Sequence, residues 1–201
     1  ELTVEKKFKN HRANSPRNAV AKVLEIDANG NDAFFALASF REPGTRKSDN
    51  VLWVKSFWID LDCGEDKATA GKGYENKRAA VLALQLFCLN NGLPVPTIVD
   101  SGGGLHCYWI LNQDISAAEW LPLAKKLKKI MAMGAALLLA DPSRTADIAS
   151  VLRPPGTHNR KPKNNNAIVK VLRESADVDF AEFSAKINAA HTKLSPAPQQ
   201  S

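Results

Sequence analysis

The stretch Ser56-Phe57-Trp58-Ile59-Asp60-Leu61-Asp62-Cys63-Gly64 is an apolar, strand-like run that ends by presenting two carboxylates two residues apart. Along a β-strand residues i and i+2 share a face. Phe57, Ile59 and Leu61 therefore face one layer, while Asp60 and Asp62 emerge together on the other, roughly 6 to 7 Å apart. Two negative charges at that spacing repel each other, and they suit a hard divalent cation such as Mg²⁺ or Mn²⁺, which takes carboxylate oxygens. A solvated acidic turn at the end of a strand is the plain alternative.

Around this segment the chain reads as mixed α/β. A strand is expected over 51–62. A helix rich in Ala and Leu follows over 74–91, closed by Gly92 with Pro94 just beyond. Residues 97–99 and 105–111 read as strands. Ser116-Ala117-Ala118-Glu119 has the spacing of a capping box and opens a helix toward Met133, with Pro122 placed in its first turn. Val151 and Leu152 lead into a Pro154-Pro155-Gly156 turn, 167–172 forms a last strand, and 179–191 a terminal helix. The loop over 65–73, with Lys67 and Lys72, is expected to be mobile and near the acidic pair. Trp53, Phe57 and Trp58 are expected in the core, and the lysines of 125–129 on a solvated helix face.

With 201 residues and 44% hydrophobic content, the chain can bury one core, or build two small subdomains around a cleft. Lys and Arg outnumber Asp and Glu by 27 to 21, giving a net charge of +6 and a pI near 9.3. That balance favours nucleic acid or nucleotide over acidic protein surfaces as a partner. Cys63, Cys88 and Cys107 form no C-x-x-C pair, so neither a disulfide framework nor a zinc knuckle is implied, and a reducing, cytoplasmic setting is expected. No signal-peptide core and no bilayer-length apolar run is present, the stretch at 135–140 being far too short. The start at Glu1 and the linker-like tail at 193–201 lead us to expect a further domain in a longer protein.

A second chemical segment is Asp100-Ser101-Gly102-Gly103-Gly104-Leu105-His106. Three glycines between strands permit a close approach of backbone N–H groups to an anion such as phosphate. His106 opens the next strand on the face of Tyr108 and Ile110, where its imidazole could donate to a phosphate oxygen. A tight hairpin with a buried histidine is the structural alternative. A third segment, from Asp141 through Asp147 and Arg153-Pro154-Pro155-Gly156 to His158 and Lys161, adds carboxylates, basic residues and a guanidinium whose planar fork can grip phosphate. Asp141 and Asp147 could equally be turn caps.

In this order the three segments resemble the archaeo-eukaryotic primase superfamily, in particular the primase-polymerase domains of phages, prophages and plasmids. The aspartate pair Asp60 and Asp62 matches that family's first motif and Gly104-Leu105-His106 its second. Asp141, with Arg153-Pro154-Pro155-Gly156 downstream, matches its third. The similarity runs over about 51–163. Gly104 stands where many relatives have serine, and the first fifty residues carry no matching motif.

The resemblance implies an RRM-like antiparallel sheet with packed helices and a smaller N-terminal α/β subdomain, the active site lying in the cleft between them. On that reading 1–192 is the catalytic domain, with 1–50 as the N-terminal part, 51–175 as the motif-bearing core and 176–192 as the terminal helix. It implies template-directed nucleotidyl transfer with two metal ions, Mg²⁺ or Mn²⁺, held by Asp60, Asp62 and Asp141. Gly102, Gly103, Gly104, His106 and Arg153 would bind the triphosphate of an NTP or dNTP, with His158 and Lys161 as weaker contributors. Asp147 is read as a cap or a partner for Arg153. The implied partners are a single-stranded DNA template and a helicase or accessory helical domain. A noncatalytic single-strand or origin-binding module, and a metal-dependent nuclease, are the competing functions.

Overall fold

The computed structural model describes residues 9–134 and 136–194. Helix α1 (Pro16–Ala28) leads into the short strands β1 (Phe35–Ala36) and β2 (Ala38–Phe40), and the long strand β3 (Val51–Asp62) follows. Helices α2 (Glu65–Thr69) and α3 (Lys77–Asn91) come next. Strand β4 (Thr97–Asp100) turns through the glycines into β5 (Gly104–Ile115), directly followed by helix α4 (Ala117–Met133). A looped stretch then carries β6 (Val151–Leu152), β7 (His158–Asn159), β8 (Ala167–Ile168) and β9 (Lys170–Arg173), and α5 (Phe180–Thr192) is the last element.

The main sheet has the order β2-β3-β5-β4-β9, antiparallel throughout. Two short pairs, β1 with β6 and β7 with β8, bind the loops to the rest. Strand β3 keeps the bounds its apolar pattern predicts. Phe57, Ile59 and Leu61 are fully buried, and Phe57 packs on Trp120 of α4 and Phe183 of α5 with ring centroids 5.7 and 5.3 Å apart. Trp58 is equally buried, stacked on Trp120 at 4.7 Å, and its indole N–H donates to the Arg144 carbonyl at 3.0 Å. Trp109 stacks near Phe183 and donates its N–H to the Pro94 carbonyl, so each of these large rings is buried with its polar atom satisfied.

The helix ends follow the local chemistry. Gly92 takes a left-handed conformation (φ 64°) behind α3, and the capping box of Ser116 and Glu119 opens α4. Other elements differ from expectation. Helix α3 begins at Lys77 rather than 74, because the Asn76 side chain caps it by accepting from the Ala79 N–H, while Tyr74 forms a backbone bridge beside Asp62. Pro122 lies inside α4 beyond the first turn, where its missing N–H leaves the Ala118 carbonyl without its helical donor. The strand expected over 167–172 is two. Val169 interrupts it, buried, with its N–H donating to the Thr157 carbonyl and its own carbonyl accepting from the Gly156 N–H. The 65–73 loop holds helix α2. Trp53 is 45% exposed instead of buried.

The first fifty residues, for which no elements were foreseen, supply α1, β1 and β2. Helix α1 is capped by Ser15 and carries Pro16 at its first position. Strand β2 adds to the edge of the main sheet, and β1 pairs with β6. Of the tail read at 193–201, residues 195–201 lie outside the described residues. Among the described residues no helix is long and apolar enough to cross a membrane.

Candidate active site

The register of β3 on β5 sets Asp60 opposite His106 and Asp62 opposite Gly104. Strand β2 pairs with β3 between Val51 and Val54, which leaves the edge of β3 near Asp60 open for other backbone. The segment after α4 takes that place: the Asp141 N–H donates to the Asp60 carbonyl at 2.8 Å. The Asp141 carboxylate, distant in sequence, is thus brought to the strand end that carries Asp60 and Asp62.

The three line a cavity of about 280 Å³, together with His106, Arg144, Arg153, Lys161, Lys67, Gly103 and Phe34. Of the residues singled out by sequence, Asp60, Asp62, Asp141, Gly103, His106, Arg153 and Lys161 line this cavity. Gly102, Gly104 and His158 stand back from it.

The electrostatics of the cavity are unbalanced. Burial and the neighbouring charges of Asp62 and Asp141 push the Asp60 carboxyl up to about 7, with Arg144 and Lys161 pulling the other way. Burial, and then the Arg153 charge, bring His106 down to about 4, so at neutral pH its imidazole is uncharged. Asp62 Oδ2 accepts from Lys67 Nζ at 2.6 Å. Asp141 Oδ1 accepts from the N–H and Oγ of Ser143, and its Oδ2 lies 3.8 Å from Arg144 Nε. Arg153 is 4% exposed, with Nη1 donating to Asp32 Oδ1 at 2.7 Å and its guanidinium 4.4 Å from the centre of the Phe34 ring.

Among the described residues no three His, Cys, Asp or Glu side chains converge as a closed metal cluster. Asp62 and Asp141 are turned to the cations Lys67 and Arg144. The donor set nevertheless fits a hard divalent ion: three carboxylates crowd one cavity, and the most buried of them is charged only at the expense of its neighbours.

The glycines answer first to packing. A Cβ at Gly104 would lie 2.1 Å from the Leu61 carbonyl oxygen, and one at Gly103 would lie 2.8 Å from the Asn164 amide nitrogen. Gly102 has φ +87° and donates its N–H to Asp100 Oδ1, so that donor is already engaged. His158 is held away from the cavity by α1, its Nδ1 2.8 Å from Asp27 Oδ2. Burial alone would raise the Asp27 carboxyl, but hydrogen bonds from Arg160 and His158 outweigh it and hold it at about 2. Asp147 caps a turn, accepting from the Ala149 N–H and Ser150 Oγ; the carboxylate that pairs with Arg153 is Asp32.

Lys67 stands near the acidic pair as expected, whereas Arg144, Asp32 and Phe34 were not among the residues the sequence pointed to. Arg144 could have been, since it follows Asp141 by three residues inside a segment already singled out. Asp32 and Phe34 carry no sequence signal, because only the folded chain brings them beside Arg153.

No protein-family model matches the chain. By structure it has the primase-polymerase fold: it superposes on the AEP domain of the cyanophage S-2L primase-polymerase with a TM-score of 0.56 at 15% identity, covering 83% of this chain and 76% of that one. The resemblance read from motif order therefore extends to the fold. By sequence it is 28% identical over 155 residues to a replication protein of Clostridium perfringens. That alignment takes in 77% of this chain and 35% of the relative, so the chain spans about a third of that protein's length.

Proposed function

We propose that the chain is the nucleotidyltransferase domain of a phage or mobile-element replication protein, acting as a primase-polymerase on a single-stranded DNA template. The observation that carries this reading is the meeting of Asp60, Asp62 and Asp141 with His106, Arg153 and Lys161 on one cavity. The cavity holds both kinds of group that nucleotidyl transfer needs: carboxylates for cations, cations for a triphosphate. The fold shared with a phage primase-polymerase and the likeness to a replication protein support it.

In this mechanism Asp60, Asp62 and Asp141 hold Mg²⁺ or Mn²⁺. Such ions, if held by these residues, would supply Lewis acidity for the attacking 3′-hydroxyl and charge neutralisation for the departing pyrophosphate. His106, uncharged at neutral pH, donates an imidazole N–H to a phosphate oxygen. Arg153 is oriented by Asp32 and Phe34 and directs its remaining donors at the triphosphate, with Lys161 as a point charge beside it. Gly103 lets backbone come close at the cavity wall, while Gly102 and Gly104 shape the turn. His158 serves the docking of α1 rather than the phosphates. A helicase or accessory helical domain is the partner for such a domain, and the action is cytoplasmic.

The test is incorporation of labelled NTPs and dNTPs on a single-stranded template, primed and unprimed, under Mg²⁺ and Mn²⁺. The expected result is metal-dependent product that disappears in Asp60→Ala/Asp62→Ala, with product in the unprimed lane marking a primase. Template binding without synthesis, unchanged in the double variant, overturns the catalytic reading in favour of a noncatalytic binding module.

A further inference from the structure

The carboxylate cavity already carries a cation of its own. Lys67 Nζ lies 2.6 Å from Asp62 Oδ2, with the two side chains 29% and 35% exposed, and both residues line the cavity. Arg144 stands off by comparison, its Nε 3.8 Å from Asp141 Oδ2. Among the described residues Lys67 thus makes the shortest contact of any cation with the three carboxylates.

The segment that delivers Lys67 is fixed at its neck and loosely held at its tip. The Gly64 N–H donates to the Tyr74 carbonyl at 2.8 Å, the Tyr74 N–H donates to the Asp62 carbonyl at 2.9 Å, and the Tyr74 hydroxyl accepts from the Leu139 N–H at 2.9 Å. Beyond that neck, α2 buries none of its residues. Two ion pairs tie it to the cavity wall, Lys67 to Asp62 and Asp66 to Lys163, the second at 3.4 Å between exposed side chains. Ion pairs open to water contribute little to stability. Lys67 can therefore leave Asp62 without unpacking any part of the core.

We propose that Lys67 holds the place of a divalent ion on Asp62 and is exchanged for it when the ion binds. An ion such as Mg²⁺ takes a carboxylate oxygen at about 2.1 Å. An ammonium on that same oxygen would lie within roughly 5 Å of the ion, where like charges repel strongly in a site partly shielded from water. The two cations therefore compete for Asp62 Oδ2 instead of sharing it. While the site is empty, the ammonium balances the Asp62 charge, the nearer cause among the carboxylates that push Asp60 up. When an ion enters, the pair has to be broken, and ion affinity is lowered by that cost. The exchange rests on the reading of Asp60, Asp62 and Asp141 as ion ligands, but it requires neither nucleotide nor synthesis.

Mn²⁺ binding by the 201-residue chain, read from the EPR signal of the free ion with no nucleotide or DNA present, tests the exchange. Lys67→Met should bind Mn²⁺ about tenfold more tightly than wild type, because nothing has to be displaced. Removing any positive charge from the cavity favours a cation, so Lys161→Met is the control. Lys161 lines the same cavity and acts on Asp60 through its charge, and its loss should tighten binding by about threefold at most. Lys67→Arg, which keeps a cation within reach of Asp62, should stay within about twofold of wild type. Circular dichroism checks that the variants fold. Reductive ¹³C-methylation, which leaves lysines charged, shows the displacement itself: the Lys67 resonance, identified by its loss in Lys67→Arg, should move toward those of solvent-exposed lysines when Mg²⁺ is added. A gain in Lys67→Met no larger than in Lys161→Met, or a Lys67 resonance that Mg²⁺ leaves in place, would each overturn the proposal. Absence of Mn²⁺ binding in wild type and Lys67→Met alike would overturn it together with the ligand assignment. Because no synthesis is measured, a catalytically silent protein that exchanges Lys67 for the ion sinks only the polymerase reading, and an active one whose Lys67 stays on Asp62 sinks only the exchange.

Discussion

Asp60 and His106 are cross-strand partners, Oδ1 4.0 Å from Nε2, whose charges the fold suppresses in opposite senses. The carboxyl is raised to about 7 and the imidazole lowered to about 4, burial being the largest cause of both. At neutral pH the pair is an uncharged imidazole beside a half-protonated acid, not a salt bridge. In the proposed mechanism a cation would take the Asp60 proton's place.

This has a consequence for stability. The folded state keeps the Asp60 proton that the unfolded chain releases near 3.8, so its contribution falls as pH rises from about 4 to 7. His106 acts the other way between about 4 and 6.5, where the folded state lacks a proton the unfolded chain binds. The two oppose each other in that window, and above it the Asp60 penalty stands alone. Asp60→Asn should therefore stabilise the metal-free protein by about 4 kcal/mol at pH 8. The gain should grow between about pH 4 and 7 and level off above. Urea unfolding in EDTA at pH 5 and pH 8 measures it, and a gain equal at both pH values would contradict the assignment.

Arg153 is fixed from two sides, by Asp32 Oδ1 at 2.7 Å and by the Phe34 ring at 4.4 Å. Lysine cannot reproduce both a planar fork and a stacked guanidinium. Arg153→Lys should raise the nucleotide KM about tenfold, the loss of one charge-assisted contact, with a smaller effect on kcat. Asp32→Asn should move KM in the same direction by less, because the guanidinium remains but loses its anchor. Steady-state incorporation at varied nucleotide separates these. An unchanged KM in both variants would mean that Arg153 holds α1's connection to the 153–160 segment and does not contact substrate.

What could be read from the sequence was what depends on neighbours in the chain. The bounds of β3, the Gly92 stop and the Ser116–Glu119 box follow from period, conformation and capping over a few residues. Ser15-Pro16 at the head of α1 carries the same kind of signal. The pairings Arg153–Asp32 and His158–Asp27 span more than a hundred residues and leave no local trace. Trp53 misled for a related reason: its strand is apolar, but β2 and β3 pair there across a register shift, and its ring opens onto a groove instead of the helices. Within the site, the residue types and their order were legible. Whether each cation faced substrate or a carboxylate of its own protein was not, because that depends on packing between distant segments.

Gly104 sets how closely β3 and β5 can approach beside the carboxylates. It pairs with Asp62, and a Cβ there would sit 2.1 Å from the Leu61 carbonyl oxygen and 3.1 Å from Asp62 Cα. Both atoms belong to backbone, so no side-chain rotation relieves the contact, and the strands must separate just where Asp60 and Asp62 are presented. The serine common at this position in the family it resembles is therefore excluded in this chain. Gly104→Ser should cost about 3 kcal/mol, within the range for overpacking at a buried backbone. It should also weaken divalent-cation binding, read as a smaller Mn²⁺-induced rise in Tm than wild type shows. Gly30→Ala is the comparison: its Cβ would meet nothing within 4 Å, so its cost reflects only the positive φ of 74° and should leave the Mn²⁺ response intact. Equal effects of the two substitutions on the Mn²⁺ shift would show that strand spacing at Gly104 does not set the carboxylate geometry.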